Sequence, residues 1–190
     1  MSYSPEHTAR TRRRIVANAR RLFKSRGYDG VGIDTIMAEA GLTRGGFYAH
    51  FASKEELFAA IFGDDAETPA PGTARPAGDL EALIRRYLSI AHRDHQGEGC
   101  PLAALSVDAA AQGSAVRDHY TALLEAAIHR IMGLGGEAVG RERATAVMAT
   151  LVGGIVLARA VNDQRTSSKI LSACRKATRN LANLGGSTRN

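Results

Sequence analysis

Apolar residues recur along this chain of 190 residues with the three- and four-residue spacing of helices. Ile15, Ala19, Leu22 and Phe23 make the inward stripe of a first helix, which Ser4-Pro5-Glu6 opens and Gly27 stops after Lys24 and Arg26. Tyr28-Asp29-Gly30 reads as a turn. Ile33, Ile36, Met37 and Ala40 then fall at i, i+3, i+4 and i+7 of a second helix. Gly41 ends it in the left-handed backbone that a residue without Cβ adopts freely, and Leu42 can plug the corner behind it. Thr43 is suited to cap the next helix through its hydroxyl, and Phe47 and Phe51, four apart, face inward from that helix. Ser53 and Glu56 form a capping box for another, buried through Leu57, Phe58, Ile61 and Phe62. Helix, glycine turn, capped helix is the pattern of a helix-turn-helix.

Residues 63–78 hold three of the five prolines and nothing apolar larger than Ala, which predicts a linker. Every later segment reads helical. Asp79 caps a helix with Leu80, Leu83, Ile84, Tyr87 and Ala91 on one face, and Cys100-Pro101 opens another through Gln112. Ser114 caps a third with Val116, Tyr120, Leu123, Leu124, Ala127, Ile128 and Ile131 inward, ended by Gly133, Gly135 and Gly136. A helix from about Arg141 to Val161 is apolar nearly all round at Val147, Met148, Leu151, Val152, Ile155 and Val156, which implies burial on all sides. Its mostly apolar run, Ala144 to Ala158, is 15 residues, short of the roughly 20 that a bilayer span needs. No membrane association is expected. The last helix, about Ser168 to Asn183, sets Ile170, Leu171, Cys174, Ala177 and Leu181 against Arg175, Lys176 and Arg179, and Gly185-Gly186 ends it. All five Phe lie between residues 23 and 62, so the head has an aromatic core of its own.

Charge sharpens the division. The formal net charge is +6, but residues 8–26 carry Arg10, Arg12, Arg13, Arg14, Arg20, Arg21, Lys24 and Arg26 with no acid. Residues 63–164 hold nine bases and 13 acids, and residues 165–190 hold six bases and no acid. A basic head fits a polyanionic partner, although Arg-rich helices also simply have solvated faces. Cys100 and Cys174 lie far apart with no metal-like spacing, which fits a reducing cytoplasm. The N-terminus MSYSPEHTARTRRR lacks the apolar core of a signal peptide.

Other chemistry is thin. There is no glycine-rich phosphate loop, HExxH, nucleophile elbow or paired-carboxylate motif, so no enzyme, cofactor or metal is expected. His92, His95 and Cys100 lack the spacing of a closed zinc set and read as a solvated helix terminus. Cys100 is either a thiol activated by a helix N-terminus or a plain capping or buried thiol, the commoner case. The candidate chemistry is on the helix after Gly41. With Phe47 and Phe51 inward, Arg44, Gly45, Gly46, Tyr48 and His50 lie on or near the outer side, beside Thr43 and Lys54. A guanidinium can read a guanine edge, while a phenol, an imidazole and a hydroxyl can reach phosphate. Lys54, at a helix mouth, suits a phosphate.

The string GYDGVGIDTIMAEAGLTRGGFYAHFASKEELFAAIF resembles the N-terminal DNA-binding domain of TetR-family transcriptional regulators, with the likeness dense over residues 8–62. Gly41, Tyr48, His50, Phe51, Ser53, Lys54 and Glu55 fall at family positions. Gly32 stands where the family usually has a capping Ser or Thr, and Gly46 where Thr, Ser or Ala often contacts a base. The resemblance implies an all-α fold with a DNA-binding head at 1–62 and an effector-binding and dimerisation body at 79–190, while the linker at 63–78, read from composition, departs from the short connection expected in the family. It implies a homodimeric repressor released from a palindromic DNA operator by a small molecule. The final two helices would pair with their symmetry mates, with Val147, Leu151, Ile155, Ile170, Cys174 and Leu181 at the interface. Leu83, Tyr87, Cys100, Leu105, Tyr120, Leu124 and Met148 would line the pocket. No lone charge falls on an apolar face there, so the expected effector is apolar or aromatic. The residues alone also allow a helical small-molecule-binding or protein-interaction module whose head has no sequence-specific DNA affinity.

Overall fold

A computed structural model describes residues 5–63 and 79–184. The Ser4 cap, the predicted linker beyond Gly63 and Gly185-Gly186 fall outside them. The described helices are α1 (Pro5–Arg26), α2 (Ile33–Glu39), α3 (Lys54–Ala60), α4 (Leu80–Tyr87), α5 (Ile90–Asp94), α6 (Pro101–Ala104), α7 (Ser106–Ala110), α8 (Ser114–Gly135), α9 (Arg141–Ala160) and α10 (Gln164–Leu181), with no strand among the described residues. By packing the chain divides into two units: the described part of residues 1–68 with Ala104–Leu123, and the described parts of 69–103 and 124–190.

The first unit is built on phenylalanine. Phe58 is fully buried, edge-on to Phe23 and Phe62 at 5.2 Å each and 4.7 Å from the ring of Tyr28. Edge-to-face contact of this kind adds to what burial of the rings already contributes. Ile15, Val16, Leu22, Ile36 and Met37 complete the core from α1 and α2. Residues 104–123, which the resemblance assigns to the body, pack here instead. Leu105, Ala109 and Val116 enter this core, Tyr120 stands edge-on to Phe62 at 5.5 Å, and Asp108 accepts the Tyr28 N–H at 2.9 Å.

In the second unit α9 packs along α10 and touches α4 and α5. Val147, Leu151 and Ile155 are fully buried within the protomer, while Val156 and Leu157 on the other side of α9 are 40% and 57% exposed. Within the single chain, burial of α9 is therefore seen on one face. By length and composition the 20 residues of α9 would suffice to cross a membrane, but the inner face is occupied by its own neighbours. A Cβ at Gly154 would come within 2.9 Å of Cys174 and Leu88, so this glycine lets α9 and α10 of one protomer approach closely.

Several boundaries differ from the spacing. Where one helix is predicted from Asp79 to Ala91, α4 stops at Tyr87 and Ser89 caps α5 by accepting the His92 N–H at 3.1 Å. Ala91 is exposed as a result. The helix predicted from Cys100 to Gln112 is broken at Leu105. Helix α10 starts at Gln164 rather than near Ser168, because Asp163 accepts N–H bonds from Arg165 and Thr166.

Three arginines close the ends of short helices. Arg20, 8% exposed, donates to the Ile61 carbonyl at 2.7 and 3.0 Å, at the end of α3. Arg175 donates to Leu88 at 2.8 Å, at the end of α4. Arg159 donates to His92 at 2.6 Å and Arg93 at 3.1 Å, in the last turn of α5. The last four carbonyls of a helix lack intrahelical donors, and a cation there also meets the negative end of the helix dipole.

Candidate nucleic-acid interface

The corner of the motif forms as its sequence predicts. Gly41 has φ +63°, and the Leu42 N–H returns to the Met37 carbonyl at 2.9 Å with Leu42 half-buried against the core. Gly32 stands before α2 with no side-chain cap. The second element of the motif departs from expectation, since Arg44–Ala49 is about two turns of 3-10 helix rather than an α-helix. Gly45 and Gly46 within it are poor helix formers, which shortens it. Thr43 precedes it in extended backbone but makes no side-chain cap. Ser53 does cap α3, accepting the Glu56 N–H at 3.0 Å, while the Glu56 carboxylate takes the Ala52 N–H at 2.6 Å.

Phe47 and Phe51 are buried, and this turns Thr43, Arg44, Gly45 and Tyr48 outward, Tyr48 with 59% of its surface exposed. Gly46 and His50 are half-buried beside them. The Arg44 guanidinium bonds Asp34 at 2.7 Å, both side chains being well exposed. Lys54 is not displayed at the mouth of α3 as predicted. Its ammonium rests 4.1 Å over the Tyr28 ring, and burial lowers its pKa against a smaller opposing pull from Asp29. His50 ends the 3-10 turn. Burial, then the positive Arg12 and His7, hold its pKa below the ordinary value, so its neutral form is favoured.

The basic stripe of α1 is thinner at the surface than in the sequence. Arg20 is spent on Ile61, Arg21 pairs with Glu39 at 2.6 Å, Lys24 is 3% exposed, and Arg12 lies 4.3 Å over the Phe51 ring. Arg10, Arg13, Arg14 and Arg26 remain on the outside. Asp34, Arg12 and Tyr28 are the site-shaping residues that spacing does not reveal, because each acts across the fold on a partner at least ten positions away.

The other predicted residues separate. Leu105 and Tyr120 belong to the first unit's core, whereas Leu83, Tyr87, Cys100 and Met148 are buried and Leu124 half-buried in the second. The expected absence of a lone charge there is corrected. Arg159 lies in Coulomb range of Tyr87 and Cys100, its pKa lowered chiefly by burial, and its Nη1 is buried with no hydrogen-bond partner among the described residues. His92 takes the Cys100 N–H on Nε2 at 3.0 Å and bonds the Tyr87 carbonyl through Nδ1 at 2.6 Å, so both ring nitrogens are engaged. Of the predicted interface residues, Val147, Leu151 and Ile155 are sealed inside the protomer, and Ile170, Cys174 and Leu181 are half-buried.

Comparison with known proteins agrees with this geometry. Residues 15–61 match the family model described as bacterial regulatory proteins, tetR family. The HTH-type transcriptional repressor Rv1474c of Mycobacterium tuberculosis is 36% identical over 72 residues, 38% of this chain and 38% of that protein. The match thus spans well under half the length of that curated relative. The crystal structure of a TetR transcriptional regulator from Chloroflexus aurantiacus is 28% identical, covers 94% of this chain and 95% of its own, and superposes with a TM-score of 0.65. The crystal structure of AibR in complex with isovaleryl coenzyme A and operator DNA shares the fold at 20% identity and a TM-score of 0.57, over 88% of this chain and 97% of its own. Residues 15–61 are thus similar to the family described as bacterial regulatory proteins, tetR family, and the fold over nearly the whole length is similar to that of the Chloroflexus aurantiacus TetR regulator.

Proposed function

We propose that the protein is a cytoplasmic homodimeric transcriptional repressor that binds a palindromic operator and leaves it when a small molecule fills the body. One observation carries the DNA reading: Gly41 turns the chain so that Phe47 and Phe51 are buried while Arg44, Tyr48 and Thr43 share the outside. Gly45 and Gly46 support it. Neither has a positive φ, and an added Cβ would meet nothing within 4 Å at Gly45 and only ordinary contact at Gly46. Packing in the head does not require glycine there, though each costs about 1 kcal/mol of helix propensity against Ala. Close approach of a DNA backbone explains them, and the short 3-10 turn would lengthen on contact.

Arg44 is the base-reading residue of this proposal. Tyr48, His50 and the Thr43 hydroxyl, which no cap engages, position the head on phosphates, and Lys54 joins them if it leaves Tyr28. A selection of bound duplexes supplies the operator. Arg44→Ala is then expected to relax discrimination at one base pair per half-site by about 1–3 kcal/mol. Titration of matched and mismatched duplexes checks this; discrimination equal to wild type at every position would refute the role.

His50 gives a pH signature whose two signs oppose. Its lowered pKa means that the unfolded chain takes up the proton first, so its contribution to stability is full above the unfolded pKa of about 6.5 and is lost as pH falls. A phosphate beside it favours the charged form, so operator binding takes up a proton and affinity rises as pH falls from 8 to 6. His50→Gln is expected to flatten that rise at constant salt; an unchanged slope would remove His50 from the interface.

For the body, the operator and ligand of AibR support a repressor with a small-molecule effector. Leu83, Tyr87, Cys100, Leu124 and Met148 remain the candidate lining. The Arg159 guanidinium among them favours an apolar ligand with an acidic end over a wholly apolar one. For the dimer, the outward face of α9 at Val156 and Leu157 fits the interface better than its inward face.

A further inference from the structure

We infer that Asp34 is the positioning residue for Arg44: it converts a mobile cation into a base-directed fork and thereby sets sequence discrimination. The inference rests on the DNA-binding reading above. Arg44 is flanked by Thr43 and by two glycines without side chains, so nothing next to it in sequence steers a long, flexible guanidinium. Among the described residues its recorded polar contact is Asp34, with Oδ2 2.7 Å from Nη1. Asp34 lies in the first turn of α2, on the other helical element of the motif, which ties Arg44 to a rigid part of the head. Both side chains are about two-thirds exposed, at 64% and 65%, and an ion pair in water contributes little stability. Its consequence is directional. With Nη1 engaged, the planar group keeps its Nε and Nη2 donors for a bidentate pair with a guanine edge. The pair is also neutral as a unit. A lone Arg44 would bind any phosphate and release a counterion, whereas an Arg44 already paired adds little to non-specific binding. Near phosphates the carboxylate is itself repelled, so Asp34 penalises every register in which Arg44 has not found its base.

The test is Asp34→Asn and Asp34→Ala in the full chain, titrated against the selected operator, the operator changed at the base pair that Arg44→Ala relaxes, and an unrelated duplex, each at several salt concentrations. The expected result is about a tenfold drop in discrimination at that base pair. Binding to the unrelated duplex should strengthen, with a slope against log salt steeper by roughly one phosphate contact per head. In the Arg44→Ala background, Asp34→Ala should change discrimination no further, and Tm should move little. If Asp34 is only a staple between the two elements, Tm and affinity for all duplexes fall together while their ratio stays fixed, and the inference is overturned. Unchanged discrimination with an unchanged salt slope overturns it equally. A wild-type protein that selects no sequence fails the DNA-binding reading instead, and takes this inference with it.

Discussion

Phe58→Ala is expected to cost the protein about 3–5 kcal/mol, the range for truncating a fully buried phenylalanine. Three rings contact Phe58, from α1, from the Tyr28 turn and from just beyond α3, so no single neighbour can move to fill the space. The loss extends to the surface, because Lys54 rests on Tyr28 and Ser53 opens the same helix that Phe58 anchors. Domains of this size are held by roughly 5–15 kcal/mol, so the variant should be near its stability limit. Chemical denaturation measures the change directly; a loss under about 1.5 kcal/mol would show that the aromatic cluster is more plastic than it looks.

If the proposed dimer pairs through the outward face of α9, Leu157→Glu is expected to turn it into monomers and to weaken binding to the selected operator by about two orders of magnitude or more. The two half-sites of a palindrome are held together only through the protein's own symmetry, and a single head keeps one half of the contacts. Leu157 is 57% exposed within the protomer, so the charge burdens no core. Leu151 on the inner face is a poor probe of the same idea, since it is fully buried and a charge there would unfold the chain. Sedimentation at micromolar concentration gives the stoichiometry, and circular dichroism checks that the monomer stays folded. A folded Leu157→Glu dimer would move the interface elsewhere.

The signals legible in the sequence are those that complete themselves within a turn of helix. Gly41, Ser53 with Glu56, Asp79 and the Phe47–Phe51 pair need only residues three or four positions away, and each takes up its predicted role. The break at Leu88 and Ser89 is equally local, yet the apolar stripe running through it conceals the cap. Charged residues are the least legible. Arg20 and Arg175 read as members of solvated faces, but each reaches a carbonyl 41 or 87 positions away. The same holds for Arg44, whose partner lies across the turn. Residues 104–123 go astray for a related reason: their small apolar side chains specify burial without specifying against what.

The arginine clamps bear on the order in which the chain acquires its structure. Helices α3, α4 and α5 have seven, eight and five residues, far below the dozen or so that an isolated helix needs to persist in water. Each is closed at its C-terminus by a guanidinium from a distant stretch of the chain, and the clamp on α4 comes from the penultimate turns of the last helix. In the second unit these short helices therefore cannot act as early local nuclei; they consolidate only once α9 and α10 have been synthesised and docked. A nascent chain halted before residue 159 would lack both clamps and leave α4 and α5 without their terminal partners, a state in which their apolar faces are open to chaperones and proteases.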